Sequence, residues 1–356
     1  MRTPPQSVLI IVTRRIGDVL LATPLMRSVK RAWPHAALDV LLFEGTQAAI
    51  AANPDVRRVL AVPERPGGFD HLAFIGRLFR RYDIALSTLH GDRPTLYAWL
   101  AGRWRAGLLN EAEKERWKRP LLDHWIPFDN WNTHTVLMNL ALARPLGIEP
   151  QREVTVCWRP EEAASVAARL GRAPVAVLHP YPKFNYKMWH RAGWTELAAW
   201  LAGRGYRVVL TGGGDPAEVG YVADLARDMP AQTENLAGQL ALGETAYLLS
   251  RAAAFVGPDT ATTHMAAALG VPTVALYGPT DPVKWGPWPR GHGATNPWQR
   301  LGNQVAGNVC LIQGNAACAP CHKEGCDRHI GSYSDCLRQL PAATVIAALQ
   351  SVTRGS

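Results

Sequence analysis

The sequence predicts an α/β protein with two parallel sheets, and three observations indicate this fold class. The chain has 356 residues, more than one hydrophobic core usually fills, so two domains are expected. Short apolar, β-branched runs alternate with helical patterns through the first half of the chain, which is typical of a parallel sheet with helices on both faces. The same alternation starts again near residue 174.

The first half of the chain predicts four strands, each followed by a helix or helical turn. The strands are the runs "SVLIIVT", "ALDVLLF", "RRVLAVP" and "DIALSTL". The helical patterns that follow them cover residues 19–33, 45–53, 70–81 and 93–101. Further strands are predicted at 103–109 and 153–158, and a helix at 133–146. Together these elements predict a Rossmann-like N-terminal domain over residues 1–165.

The second half repeats the pattern in a second Rossmann-like domain, predicted over residues 166–340 after a linker segment at 159–174. Its strands are the runs "PVAVLHP", "YRVVLTG", "AFVGP" and "PTVALYG". Its helices are predicted at 191–203, 215–229, 243–251 and 260–269. A final helix within residues 341–356 can pack on either domain, including back on the N-terminal one. Because ligands of open α/β sheets bind outside the carboxyl ends of the strands, we expect the two domains to face a central cleft.

The overall charge and composition narrow the classes of partner. The net charge of +9 at pH 7 favours an anionic partner, such as a phosphorylated small molecule, a nucleic acid or an acidic membrane surface. Neither an arginine-rich stripe nor an RRM or KH signature is present, so we expect no nucleic acid. No run of about 18 apolar residues and no signal-peptide cleavage motif is present. The sequence therefore predicts a cytoplasmic protein, with peripheral membrane contact as a further option.

The turn after the strand "AFVGP" is the clearest candidate site of the second domain. It places Asp259, Thr260, Thr262 and Thr263 at the start of an Ala-rich helix that contains His264. Unpaired amides and the helix dipole make a helix N-terminus an anion site, and the hydroxyls add donors. The alternative is that Asp259 or Thr260 only caps the helix and that His264 only packs in the core.

Two further turns carry polar residues with possible roles in binding. Lys187 follows the strand "PVAVLHP" and can pair with a phosphate whose negative charge grows as it leaves. At the other end of the chain, Asp18 lies in "RRIGDVLLATP", directly after the first strand. Gly17 is expected to permit a tight corner there, and Arg14 and Arg15 either contact acidic groups of a substrate or face solvent. The alternative for Asp18 is a cap of the helix predicted at 19–33.

These stretches resemble one known family, the ADP-heptose:lipopolysaccharide heptosyltransferases, which are inverting glycosyltransferases of family 9 with the GT-B fold. The resemblance rests on "RIGDVLLATP", "HPYPKFNYKMW", "GPDTATTHMAAALGVPTVALYGPTDP" and a cysteine-bearing tail, and it spans nearly the whole chain. It implies transfer of heptose from ADP-heptose to the inner core of lipopolysaccharide, by an enzyme at the cytoplasmic face of the inner membrane.

The resemblance also implies roles for individual residues. Asp18 is implied as the general base and Lys187 as the partner of the donor diphosphate. Residues 259–263 are implied to cradle that diphosphate, and Gln239 and Leu240 to lie near the adenine. This sequence reads "DTATTH" where the family more often has "DTG-x-[ST]-H", so Ala261 replaces a glycine. The small side chain of Ala261 still leaves a backbone donor at that position.

A cluster of four cysteines indicates a second kind of site. Cys318, Cys321, Cys326 and Cys336 lie close in sequence with two histidines between them. Four thiolates can hold a structural zinc ion or an iron-sulfur cluster, while paired disulfides and plain reduced thiols are the alternatives. No D-x-D carboxylate pair is present, so no cofactor is expected to be required for catalysis and transfer is expected to be independent of metal ions.

Two functional hypotheses compete with heptose transfer to lipopolysaccharide. A glycosyltransferase of the same fold can use another nucleotide sugar or another acceptor. The chain can also be a non-catalytic nucleotide-sugar-binding protein. A panel of nucleotide sugars distinguishes the first alternative from heptose transfer, and complete absence of transfer favours the second.

Overall fold

A computed structural model describes residues 3–65 and 67–354. The chain divides into two compact units, Met1–Thr155 and Val156–Ser356, so the boundary lies ahead of the one predicted at 165/166. Each unit contains one sheet in which parallel pairing dominates. The predicted α/β class is therefore confirmed.

The first unit is a six-stranded parallel sheet in the order β3-β2-β1-β4-β5-β6. Its strands are β1 (Ser7–Val12), β2 (Ala37–Phe43), β3 (Arg58–Val62), β4 (Tyr82–Ser87), β5 (Gly102–Leu109) and β6 (His124–Pro127). Its helices are α1 (Ile16–Leu20), α2 (Thr23–Ala32), α3 (Gly68–Leu78), α4 (Asp92–Ala101) and α5 (Thr135–Leu140), with 3-10 helices at Gln47–Ala49, Glu113–Leu121 and Ala141–Leu146. The central strand β1 is buried from Val8 to Val12, as expected for a parallel strand covered on both faces.

Three predictions for the first unit are wrong in detail. The helix expected at 19–33 is two helices, since α1 ends at Leu20 and α2 begins at Thr23 with Pro24 in its first turn. Residues 45–53 contain only a single 3-10 turn. Residues 153–158 form no strand, and the sixth strand is instead β6, whose residues HWIP are only partly buried and contain no continuous apolar run.

The second unit is a seven-stranded sheet in the order β12-β13-β11-β10-β7-β8-β9, in which only β12 runs antiparallel to its neighbour. Its strands are β7 (Val175–Leu178), β8 (Arg207–Leu210), β9 (Glu234–Asn235), β10 (Ala254–Pro258), β11 (Thr273–Tyr277), β12 (Gln304–Ala306) and β13 (Val309–Gln313). Its helices are α6 (Pro160–Ala167), α7 (Arg191–Ala202), α8 (Pro216–Arg227), α9 (Leu242–Ser250), α10 (Ala261–Leu269), α11 (Pro282–Trp285), α12 (Asp335–Arg338) and α13 (Ala342–Arg354), with a 3-10 turn at Asn185–Lys187.

The C-terminal helix α13 belongs to the second unit. It packs against α7 and against strands β10, β11 and β13, and its apolar face, including Val345 and Leu349, is part of the main core of that unit. The chain before it is fixed by Trp189, whose Nε1 donates to the backbone oxygen of Leu340 at 2.8 Å. No helix among residues 3–65 and 67–354 is long and apolar enough to cross a membrane.

A buried carboxylate fastens three strands of the first unit together. Asp39 on β2 is fully buried and accepts two hydrogen bonds from Arg57, at 2.9 and 2.7 Å. Its Oδ2 also accepts one from the hydroxyl of Tyr82, at 2.8 Å. Since Arg57 leads into β3 and Tyr82 begins β4, the carboxylate ties elements on both sides of β2 and β1.

We predict that Asp39→Ala lowers the free energy of unfolding of the first unit by about 3 kcal/mol, because it leaves the buried Tyr82 hydroxyl without its acceptor and Arg57 without its charge partner. Urea unfolding measures the change. The matched control is Glu113→Ala, which removes a carboxylate that is 90% exposed and paired with Arg116, and it should change stability by less than about 0.5 kcal/mol. Equal effects of the two substitutions would contradict the prediction.

Candidate functional site

The carboxyl edge of the first sheet brings together side chains from four turns that lie side by side. The turns follow β1, β4, β5 and β6, which are neighbours in the sheet. The turn after β4 is fixed to β1, because the hydroxyl of Thr88 donates to the backbone oxygen of Ile11 at 2.9 Å. This is the edge at which ligands of parallel sheets bind.

Asp18 lies in the turn after β1, within the first turn of α1. The N-cap of α1 is Arg15, so the predicted capping role of Asp18 is wrong in position. Its carboxylate instead accepts from the backbone amide of Arg15, the reach-back contact that an acidic residue makes from the third helical position. Gly17 is helical here, so the backbone does not require a glycine for a left-handed turn at this position.

The electrostatic environment of Asp18 suits a proton acceptor. Burial raises the pKa of this carboxyl, and Arg14 and Arg15 oppose that rise. Nε of Arg14 lies 3.7 Å from Oδ1 of Asp18. The distance exceeds that of a hydrogen bond, so the positive charge tempers the pKa rise without holding the carboxylate in a tight pair.

Three residues at this edge were not found from the sequence, namely His90, Glu115 and Lys118. His90 follows β4, and its Nδ1 lies 3.7 Å from Oε1 of Glu115. Lys118 is almost fully buried and lies 3.2 Å from Glu115 and 2.6 Å from Asp92. Burial lowers the pKa of His90, and the positive charges of Lys118 and Arg14 act in the same direction.

In the second unit, the structure brings Lys187 and Asp259 together. Lys187 ends the 3-10 turn that follows β7, and Asp259 follows β10, the neighbouring strand. The ammonium nitrogen lies 2.5 Å from Oδ2 of Asp259, with the lysine side chain 17% exposed and the aspartate 9%. A cation is therefore held at the carboxyl edge of this sheet with part of its surface open.

Asp259 is the centre of a buried polar cluster. Its Oδ1 accepts from the Tyr277 hydroxyl at 3.3 Å and lies 3.9 Å from Nε2 of His264. Burial alone would raise the pKa of Asp259, but the charge of Lys187, with smaller effects of His264 and Thr280, lowers it overall. Burial lowers the pKa of His264 to about 4, so this imidazole is neutral near pH 7.

Helix α10 begins directly after Asp259. Its N-cap is Thr260, whose Oγ1 accepts from the amide of Thr263 at 3.4 Å, so the capping alternative holds for Thr260. The Thr263 hydroxyl donates to the backbone oxygen of Pro258 at 2.5 Å, while Ala261 and Thr262 form the first turn. The N-terminal end of the helix dipole is thus placed next to the Lys187–Asp259 pair.

Other predicted positions are not brought to this cluster by any contact within residues 3–65 and 67–354. Gln239 is exposed and donates to the backbone oxygen of Asn235 at 2.8 Å, and Leu240 is half-buried ahead of α9. Glu218, in the first turn of α8, accepts from the amide of Gly213 at 2.7 Å, and burial raises its pKa.

The cysteine-rich segment packs against the turns that carry these residues. The side-chain amide of Asn185, two residues before Lys187, donates to the backbone oxygen of Gly331 at 3.2 Å. The amide of His322 donates to Pro279 at 2.9 Å. Cys318 and Cys326 are exposed, Cys321 is half-buried and Cys336 is buried, and burial raises the pKa of the Cys336 thiol to about 12.

Two curated relatives resemble most of the chain. Lipopolysaccharide heptosyltransferase 3 of Escherichia coli is 29% identical over 287 residues, which cover 76% of this chain and 83% of the relative. Lipopolysaccharide heptosyltransferase 2 of Salmonella typhimurium is 28% identical over 295 residues, covering 78% and 84%.

Solved structures show the same fold over the whole chain. A family 9 glycosyltransferase from Veillonella parvula superposes with a TM-score of 0.78 at 18% identity, covering 99% of this chain and 98% of its own. The E. coli heptosyltransferase WaaC with ADP gives 0.72 at 22%, covering 97% and 99%. The iron-containing heptosyltransferase TibC of E. coli gives 0.55 at 16%, covering 99% and 77%. The predicted GT-B fold is confirmed.

The sequence model of glycosyltransferase family 9 (heptosyltransferase) matches residues 74–307, a stretch that includes Lys187 and the whole Asp259–His264 segment. This match and the curated relatives confirm the resemblance on which the sequence analysis relied. The chain therefore belongs to glycosyltransferase family 9, the heptosyltransferase family.

Proposed function

We propose that this chain transfers heptose from ADP-heptose to the inner core of lipopolysaccharide, with inversion at the anomeric carbon. The observation that carries the proposal is the position of Lys187, whose side chain is 17% exposed, beside the N-terminus of α10. Both groups favour a bound diphosphate. The related chain WaaC is described with ADP, which agrees with this choice of donor.

The second unit acts on the donor in this proposal. Lys187 and the N-terminal amides of α10 neutralise charge that accumulates on the leaving ADP, and preorganised positive groups of this kind lower the barrier. The polar cluster around Asp259 holds Lys187 at a fixed position through the 2.5 Å contact. His264 adds a neutral imidazole whose Nδ1 is buried and has no hydrogen-bond partner in the part of the chain that the structure describes.

The first unit acts on the acceptor. Asp18 removes the proton of the acceptor hydroxyl while that oxygen forms a bond to the anomeric carbon and the bond from this carbon to the diphosphate breaks. A carboxyl whose pKa is raised by burial is a stronger base than an ordinary aspartate. Arg14 and Arg15, both exposed, are proposed to contact acidic groups of the acceptor.

Two further proposals concern metal and membrane. TibC is described as iron-containing, and the four cysteines make a structural metal a proposal for this chain also. Within residues 3–65 and 67–354, however, no three His, Cys, Asp or Glu side chains form a group that could hold a metal ion. No step of the transfer is assigned to a metal.

Peripheral contact with the inner membrane is proposed for the first unit. Trp99 on α4 and Trp117 in the 3-10 helix after β5 are 41% and 48% exposed, and these two elements pack together. Exposed Arg103 lies at the start of β5, directly after α4, and exposed Arg116 lies in the 3-10 helix. Aromatic and basic side chains together suit an interface with anionic lipid.

The direct test is mass spectrometry of the product formed by purified protein, ADP-heptose and truncated lipopolysaccharide cores. We expect a mass increase of one heptose, at a rate that EDTA leaves unchanged because Lys187 and the α10 N-terminus replace a divalent cation. A panel of other nucleotide sugars should give slower transfer. Loss of activity with EDTA and its recovery with magnesium would contradict metal independence. Transfer from another nucleotide sugar, with none from ADP-heptose, would show that the proposed donor is wrong.

We predict that Lys187→Met weakens binding of ADP at least about tenfold, since a charge-assisted contact to phosphate contributes about 1.5–3 kcal/mol. Isothermal titration measures the dissociation constant. Because this substitution leaves Asp259 buried without its cation, Lys187→Met with Asp259→Asn is the second variant, and it should bind ADP equally weakly while folding normally. Lys183→Met, at an exposed lysine of the same turn, is the control and should bind as the wild type does.

We predict that Asp18→Asn lowers kcat at least about 100-fold, the lower range for general-base catalysis, with ADP binding unchanged. In the wild type, kcat/KM should fall as the pH drops through the raised pKa of Asp18, because only the deprotonated carboxylate accepts a proton. Arg14→Gln should move this acid limb to higher pH, since Arg14 lowers that pKa. Full transfer by Asp18→Asn, with Glu44→Gln as the exposed control, would refute the base assignment.

A further inference from the structure

The histidine after β4 has an environment that a purely structural role does not explain. His90 is 35% exposed in its side chain, while Glu115 beside it is 12% exposed and Lys118 is 2% exposed. Nδ1 of His90 is buried and has no hydrogen-bond partner among residues 3–65 and 67–354, and the buried Oε2 of Glu115 faces the Lys118 ammonium at 3.2 Å. Burying charged groups costs free energy, and apolar side chains of similar size would pack there at least as stably. The retained charges therefore indicate a functional role for this cluster.

Two neighbouring side chains hold the His90 ring, and a third fixes its backbone. Glu115 faces Nδ1 at 3.7 Å, and the Phe128 ring packs on the imidazole with a centroid distance of 4.4 Å. Lys118 donates to the backbone oxygen of His90 at 2.8 Å, so it fixes the main chain as well. These groups come from the segments after β5 and β6, and together they limit how the ring can rotate.

The ring is held at the edge where Asp18 lies. His90 follows β4, which pairs with β1, the strand that leads to Asp18. Arg14 is close enough to both residues to influence their pKa values, and it lies 3.7 Å from the Asp18 carboxylate. His90 and Asp18 are therefore positioned around the same arginine.

The chemistry of the ring fits a sugar hydroxyl. Burial lowers the pKa of His90, so the imidazole is neutral near pH 7 and has one donor and one acceptor nitrogen. A carboxylate opposite Nδ1 favours the tautomer with the proton on Nδ1. Nε2 is then the acceptor, and it can take a hydrogen bond from a hydroxyl group.

We propose that His90 contacts the acceptor sugar through Nε2 and turns its reacting hydroxyl toward Asp18. Glu115 and Lys118 are positioning residues that act through His90. This inference rests on the proposed function, and it adds a residue that selects a hydroxyl-bearing sugar acceptor. The donor does not touch His90 in this assignment, so the effects of changing it fall on the acceptor alone.

Two amide substitutions distinguish contact with the acceptor from a structural role. The amide of His90→Gln reaches the place of Nε2, whereas that of His90→Asn reaches only the place of Nδ1. We expect His90→Asn and His90→Ala to raise the KM for the acceptor about tenfold, the loss of one good hydrogen bond. His90→Gln should recover most of this loss, Glu115→Gln should give a smaller rise, and the KM for ADP-heptose should not change.

The matched control is His124→Ala, at an exposed histidine that begins β6 and so lies at the opposite edge of the sheet. It should leave both KM values within about twofold of the wild type, the usual spread for an exposed site. Rescue by Asn instead of Gln, an equal rise in both KM values, or no change in the acceptor KM would overturn the proposal. Thermal unfolding of each variant checks the fold, and the Asn and Gln pair decides the outcome if His90→Ala is unstable.

Failure of this inference is separable from failure of the proposed function. Titration of the wild type and His90→Asn with lipid-free core oligosaccharide, without donor, measures acceptor binding directly. Weaker binding by His90→Asn supports the contact even if no sugar is transferred. Equal binding by the two proteins refutes the contact even if transfer from ADP-heptose is rapid.

Discussion

The contact between Lys187 and Asp259 is the constraint on which the candidate donor site depends. A carboxylate that is 9% exposed needs a compensating charge, because an isolated buried charge is strongly unfavourable. Lys187 supplies that charge from the turn after β7, and β7 is the neighbour of β10. The ion pair therefore fixes two turns at once beside the N-terminus of α10, and the Lys187 side chain stays 17% exposed.

Asp18 and Asp259 differ in pKa because they lie at different distances from a cation. Burial raises the pKa of Asp18, whose carboxylate lies 3.7 Å from Nε of Arg14. The pKa of Asp259 is lowered, because Lys187 lies at 2.5 Å and outweighs burial. The first carboxyl is thus suited to accept a proton, and the second is suited to stay charged and hold a lysine.

The sequence predicted the residues that directly follow long strands and missed those that depend on packing. Asp18, Lys187 and Thr260 were found because each lies after a buried apolar run, where parallel sheets place their ligands. Glu115 and Lys118 were missed, because nothing in a mixed-charge segment shows which residues turn inward. The burial of Lys118 depends on its contacts with His90 and Asp92, which are distant in sequence.

The fold was also predictable only where the sequence contains clear apolar runs. Alternation of apolar runs with helical patterns predicted both sheets, while β6 (HWIP), β9 (EN) and β12 (QVA) contain no continuous apolar run of the kind that indicates a buried strand. The break between α1 and α2 falls beside Thr23, whose hydroxyl donates to the backbone oxygen of Leu20 at 2.6 Å, and Pro24 in the first turn of α2 is the sequence signal for this break.

The most direct test of the account is a crystal structure of the chain with bound ADP. We predict phosphate oxygens within hydrogen-bond distance of Nζ of Lys187 and of the first amides of α10, with the Lys187 ammonium still beside Asp259. A fully occupied nucleotide whose phosphates contact neither group would contradict the central claim that this buried ion pair and helix terminus form the diphosphate site.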